Sequence, residues 1–158
     1  MTNQLTVYTS RYSNKNLAGS GLVCVGISAY WPRFKLTFKL SLNLRVLAPT
    51  PAMLAKARSG QLTQRQFRAE YERLLDRIGA DHILRSLRHL QGDAPGLALL
   101  CYEDVIQGET CHRRMLAGWL KRKAGIDVPE LPPPGGSVPR PRPSKRSQLD
   151  LFPRKEVP

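Results

Sequence analysis

The apolar positions fall into short runs near both ends of the folded region and into helical stripes between them. Gln4–Thr9 alternates and is rich in β-formers, Leu22–Ile27 is a compact apolar run, and Leu97–Leu100 is another, set off by Pro95-Gly96. All three are too short for helices, so the pattern predicts strands, the last spanning Gly96–Cys101. From Phe34 to Val46 the residues Phe34, Leu36, Phe38, Leu40, Leu42, Leu44 and Val46 alternate with mostly polar ones. A period of two predicts a half-buried strand or hairpin, with a long ordered loop over the site as the alternative.

The helical signals lie in between. Thr50-Pro51 predicts an N-cap followed by proline in the first turn, with Gly60 as the stop. Thr63-x-x-Gln66 is a capping box, and Phe67, Tyr71, Leu74, Leu75 and Ile78 form the stripe behind it, ended by Gly79. Asp81 is expected to cap a third helix carrying Ile83, Leu84, Leu87 and Leu90, with His82 and His89 on its solvated side. Thr110 is expected to cap a last helix from Cys111 to about Lys123. Strands alternating with helices in this order predict an α/β fold: a small three-layer Rossmann-like sheet with helices on its faces.

Composition adds a tail and a partner class. The 158 residues are 41% hydrophobic and carry a net charge of +13, enough for one domain and attractive to polyanions. Residues 1–130 read as the domain. Residues 131–158 read as a disordered Pro/Arg-rich tail, because PPPGGSVPRPRPSKRS has almost nothing apolar to bury. DNA or a nucleotide is the expected ligand. Three cysteines without scaffold spacing, no leader and no spanning run predict a reduced cytoplasmic protein, near the nucleoid and away from membranes.

The chemistry concentrates in GLALLCYEDVIQGETCHRRMLAGWL, Gly96–Leu120. A strand, a polar turn through Gln107 and Gly108, and a helix start bring Cys101, Glu103, Cys111 and His112 to one sheet edge, where open α/β folds build their sites. At a helix start beside arginines, Cys111 is expected to be a low-pKa thiol and His112 an acid or base. Glu103 is a second acid/base, Cys101 a further candidate catalytic residue, and Arg113 a phosphate clamp. Thr9, Ser10 and Arg11, at the end of the first strand, are expected neighbours that bind substrate. Zinc held by Cys101, Cys111 and His112 with a carboxylate is the weaker alternative, since the spacing lacks a C-x-x-C pair and offers a single thiol–imidazole neighbour pair. Simple packing of the thiols is another, and neither metal nor cofactor is assigned.

These residues resemble the signature of the family called Domain of Unknown Function 488: a Leu-Leu-Cys-x-Glu strand end and a Cys-His-Arg helix start. The matching positions are Leu99, Leu100, Cys101, Glu103, Cys111, His112 and Arg113. The opening VYTSRYSN is similar to that family's first strand and polar turn. Many members carry an Asp-x-Arg after the second strand. VGISAYWPRF lacks that acid, which implies a divergent subgroup. The resemblance implies a compact α/β domain with its motifs at one edge and leaves the reaction open.

The tail carries a second resemblance. Gln148-Leu149-Asp150-Leu151-Phe152 is similar to the peptide that binds the bacterial DNA sliding clamp, at all five positions. Gln148 offers amide hydrogen bonds, and Leu151 and Phe152 are apolar anchors with no other evident use in such a segment. About sixteen Pro-rich residues before it would reach ~50 Å at ~3.1 Å each. Arg140, Arg142, Lys145 and Arg146 would lie near DNA. The expectation is a nucleic-acid- or nucleotide-processing α/β protein tethered to the clamp. The alternative is a non-catalytic adaptor or inhibitor that acts by occupying the clamp, and an SH3-type polyproline ligand or basic targeting signal comes after it.

Overall fold

The computed structural model describes residues 4–103 and 110–132; Asp104–Glu109 of the polar turn and the tail with Gln148–Phe152 lie outside them. The expected α/β class is what forms. Strands β1 (Val7–Arg11), β2 (Val23–Gly26), β3 (Leu42–Asn43) and β4 (Leu97–Cys101) make a parallel sheet in the order β1-β4-β2-β3. Helices are α1 (Pro51–Arg58), α2 (Gln64–Ile78), α3 (Ala80–Gln91) and α4 (His112–Ala124).

All five residues of β4 are buried. A central parallel strand is covered on both faces, which is why its sequence is a continuous apolar run. Its side chains still alternate. Leu97 and Leu99 join the larger core with Val7, Val25 and buried side chains of all four helices, including Phe67, Leu87 and Leu116. Ala98 and Leu100 face the other way, with Tyr12, Leu17 and Cys24. Burial pushes the Cys24 thiol up to about 11, in keeping with a packing role.

The second face is closed by an extended segment. Leu36, Phe38 and Leu40 are half-buried against this smaller cluster, while Lys35, Thr37, Lys39 and Ser41 are exposed. The expected strand or hairpin over Trp31–Val46 shrinks to the two residues of β3, and the ordered-loop alternative holds for the rest. The alternation is satisfied all the same. Extended backbone has a period of two whether or not it joins a ladder, and here it lies across the sheet's face.

Two helix starts differ from expectation. Helix α3 begins at Ala80 with Gly79 as its N-cap, so Asp81 sits inside the first turn rather than capping it. An acid there still suits the helix dipole. The N-cap of α4 is Cys111, not Thr110, whose hydroxyl instead accepts a hydrogen bond from Gln64 Nε2 at 3.0 Å. The Thr50 cap and the Thr63–Gln66 capping box form as expected.

Past α4, residues Val128–Leu131 run beside β1. Thr9 N donates to the Pro129 carbonyl at 3.0 Å and Leu131 N to the Thr9 carbonyl at 2.8 Å. This covers the exposed edge of the sheet.

Candidate functional site

The carboxyl end of β4 lies between those of β1 and β2, because the last strand inserts between the first two. Chain order reverses at that point, and a crevice there is the usual ligand position in open parallel sheets. Cys101 ends β4 opposite Arg11 of β1, and Glu103 follows immediately. Helix α4 starts above the same edge with Cys111 and His112. Cys111, as N-cap, makes no side-chain capping bond. A serine or aspartate there would contribute about 1 kcal/mol, so the helix forgoes a good cap to keep its thiol in the site.

Four of the expected residues meet. Cys101 Sγ lies 3.2 Å from Glu103 Oε2 and 3.7 Å from His112 Nδ1. Cys111 Sγ is 3.8 Å from the same Nδ1. The other ring nitrogen, Nε2, is 2.6 Å from the Ile27 carbonyl. A carbonyl only accepts, so Nε2 carries a proton and Nδ1 is the atom offered to both sulfurs. Tyr71 packs edge-on against the imidazole, 5.6 Å between ring centres, and is itself fixed by donating to the Leu47 carbonyl at 2.6 Å.

The electrostatics divide the two thiols. Burial pushes Cys101 up, and Cys111 and Glu103 beside it push it further. Burial would do the same to Cys111, but the hydrogen bond from Cys101, with His112 and Arg113 nearby, holds it well below the ordinary thiol range. Burial alone would lower His112, yet its contact with Cys111 raises it. Glu103 is pushed up to about 8 by burial and then by Cys111. Two chemical uses follow. The cluster can exchange protons among a thiolate, an imidazole and a carboxyl, and Cys101, Cys111 and His112 present three donor atoms within 4.8 Å of one another.

A cavity of about 50 Å³ opens onto this cluster, lined by Cys101, Glu103 and His112 together with Ser28, Tyr30, Tyr102 and Arg58. A broader depression of about 510 Å³ beside it shares Ala29 and Pro49, but its charged lining residues are Arg45 and Arg77, with no acid or base suited to chemistry. One wall of the small cavity is built through Ser28. Tyr12 OH donates to Ser28 Oγ at 2.7 Å, which donates in turn to the Tyr30 carbonyl at 2.7 Å. Asn43 brackets Ser28, its Nδ2 donating to the Ser28 carbonyl at 2.9 Å. Gly26 makes this possible, since a Cβ there would collide with Tyr12 OH and Asn43 Oδ1. Gly26→Ala should therefore cost about 1–3 kcal/mol by overpacking, read as a lower denaturation midpoint. A neutral outcome would show that the wall repacks freely.

The other expected residues go elsewhere. Arg113, expected to clamp a phosphate, is buried and bound to Glu130, with Nη2 2.7 Å from Oε1 and Nε 3.2 Å from both carboxylate oxygens. Thr9 donates to Glu130 Oε2 at 2.5 Å and accepts from Arg114 Nη1 at 2.8 Å. Ser10 accepts from Asn14 Nδ2 at 3.0 Å. Arg11 is half-buried at the strand end. Thr9 and Arg113 thus belong to a lock between β1, α4 and the segment after it. Sequence reasoning missed Glu130, Arg58, Ser28, Tyr71 and the Ile27 carbonyl. Glu130 left one sign, as a lone acid in the proline-rich VPELPPP.

These features define a parallel α/β domain with a thiol–imidazole–carboxyl cluster at the carboxyl edge of its sheet. The chain belongs to the DUF488-N3a family, described as the active DUF488-N3 subclade, whose model matches residues 7–124. That match runs from the first residue of β1 to the last of α4, and so includes every element that carries the cluster. No curated protein and no solved structure gave a significant match. Among the described residues no helix is long and apolar enough to cross a membrane.

Proposed function

We propose that this protein processes nucleotides or nucleic acid at the Cys101–Glu103–His112 cavity, and that its QLDLF tail delivers it to the DNA sliding clamp. One observation carries the first half. Tyr30 and Tyr102 line the cavity, Phe34 packs against Tyr102, and Trp31 follows Tyr30 in the chain, so an aromatic rim forms; Tyr30 and Trp31 are each 54% exposed and Phe34 47%. Arg33, Lys35 and Lys39 are exposed on the same segment. Phe34 and Tyr102 stand edge-to-face 6.4 Å apart, which gives the rim a fixed shape. Exposed rings interleaved with cations suit stacked bases and a phosphate backbone. Glu103 then lies where a proton would have to move, and Arg58 supplies a positive charge in the cavity.

Anisotropy of a labelled single-stranded oligonucleotide tests this reading. Trp31→Ala with Tyr30→Ala should weaken binding at least tenfold, since each stacked base contributes about 1–3 kcal/mol. Equal affinity for variant and parent would remove the nucleic-acid reading. The tail is tested separately with purified clamp. Leu151→Ala with Phe152→Ala should abolish binding, and an unchanged affinity would remove the tether while leaving the cavity untouched.

A further inference from the structure

The fold gives geometry to the zinc alternative that the sequence spacing left weak. We infer that Cys101, Cys111 and His112 form a zinc site, with both sulfurs and Nδ1 as ligands. The inference stands on geometry and holds whatever substrate the cavity takes.

Tetrahedral zinc, with bonds of about 2.3 Å to sulfur and about 2.0–2.1 Å to nitrogen, sets its sulfur and nitrogen ligands about 3.6 Å apart. The two sulfur–Nδ1 separations here are 3.7 and 3.8 Å, and all three donor atoms fall within 4.8 Å. The two sulfur–nitrogen separations are close to the edges of a coordination polyhedron, and the sulfurs, within 4.8 Å of each other, would close to about 3.8 Å on a bound zinc. All three residues are buried.

The imidazole is oriented as a ligand requires. Its Nε2 proton is held by the Ile27 carbonyl, the arrangement in which metal-binding histidines fix their tautomer and aim the other nitrogen inward. Tyr71 locks the ring plane. The donors come from three rigid positions: the last residue of β4, the N-cap of α4 and its first helical residue. Two thiolates and an imidazole match zinc's borderline-soft preference.

Three protein ligands leave a fourth position. Cys101 and His112 line the cavity, so that position borders it, with Glu103 Oε2 3.2 Å from Cys101 Sγ. A structural zinc site is closed by four protein ligands, whereas a site with three is of the type that keeps a place for water or substrate. The absence of a C-x-x-C pair is accounted for, because strand and helix converge only in the fold.

The full chain, produced with zinc supplied and purified without chelator, should carry about one zinc per molecule by elemental mass spectrometry. Cobalt substitution should give thiolate-to-metal charge-transfer bands and the intense visible bands of a tetrahedral site. Cys111→Ser and His112→Ala should bring the zinc content close to zero, and Cys24→Ser, outside the cluster, should leave it unchanged. Where a ligand variant fails to fold, alkylation of the parent protein decides. Added zinc should protect Cys101 and Cys111, and chelation should restore their labelling under mild denaturation. A chain that stays metal-free with zinc present overturns the inference. So do a Cys101–Cys111 disulfide in protein purified under reducing conditions, or zinc that survives both ligand substitutions. None of these results depends on oligonucleotide binding, so the site and the proposed function fail separately.

Discussion

Arg113→Ala should destabilise the domain by about 3–5 kcal/mol, the usual result of removing one member of a buried ion pair. The guanidinium is buried and makes a forked contact with Glu130, which also accepts the Thr9 hydroxyl. Truncation would leave a carboxylate of low exposure without its counter-charge and would empty the space beside β1. Among the described residues Arg113 Nη1 has no hydrogen-bond partner. Among those residues the pair is held by the Nη2 and Nε contacts. Chemical denaturation monitored by far-ultraviolet circular dichroism gives the loss directly. The double replacement Arg113→Met with Glu130→Met should cost less than Arg113→Ala alone, because no charge is then stranded. A loss below about 1 kcal/mol would mean the pair behaves like an exposed one, and the lock would be unimportant. Glu130→Ala adds a local readout: faster amide exchange at Thr9 and Leu131, whose backbone bonds hold the Val128–Leu131 segment on the sheet edge.

Leu99→Ala should cost about 2–5 kcal/mol, and Leu100→Ala should fall lower in the same range. Both side chains are fully buried on the central strand and differ only in the face they fill. Leu99 points into the core under the helices, where Val25, Leu116 and other buried neighbours are held by several packed elements. Leu100 points at the layer made by Leu36, Phe38 and Leu40, which are half-buried on an irregular segment. The cost of a cavity depends on how far its walls collapse, and an extended chain with few ladder bonds moves more readily than a packed helix. Equal losses for the two variants, measured by the same denaturation experiment, would show that the segment packs as rigidly as the helices.

The site was legible in its parts. Cys101 and Glu103 are two residues apart at the end of a recognisable strand, and Cys111 and His112 adjoin at a recognisable helix start. A strand and a helix joined by a short turn must bring those ends close together. Arg113 shows where this reasoning stops. Successive residues on a helix point about 100° apart, so His112 and Arg113 cannot both face the cavity, and only packing chooses between them. It chose His112, because the Ile27 carbonyl waits on one side and Glu130 on the other. Thr9 went with Arg113 for the same reason, through a partner 121 residues away.

By itself the sequence determined the α/β class, three of the four strands, the helix stripes and stops, and the local pairs of reactive residues. These follow from periodicity and capping, which act over a few residues. The tertiary structure alone decided the order β1-β4-β2-β3 and the use of the alternating Phe34–Val46 segment as a covering layer. It also decided the turning of Arg113 into a lock and the convergence of two thiols and an imidazole to within 4.8 Å of one another. Each of those depends on contacts between residues far apart in the chain, where one local pattern is compatible with several partners and only the packed whole selects one.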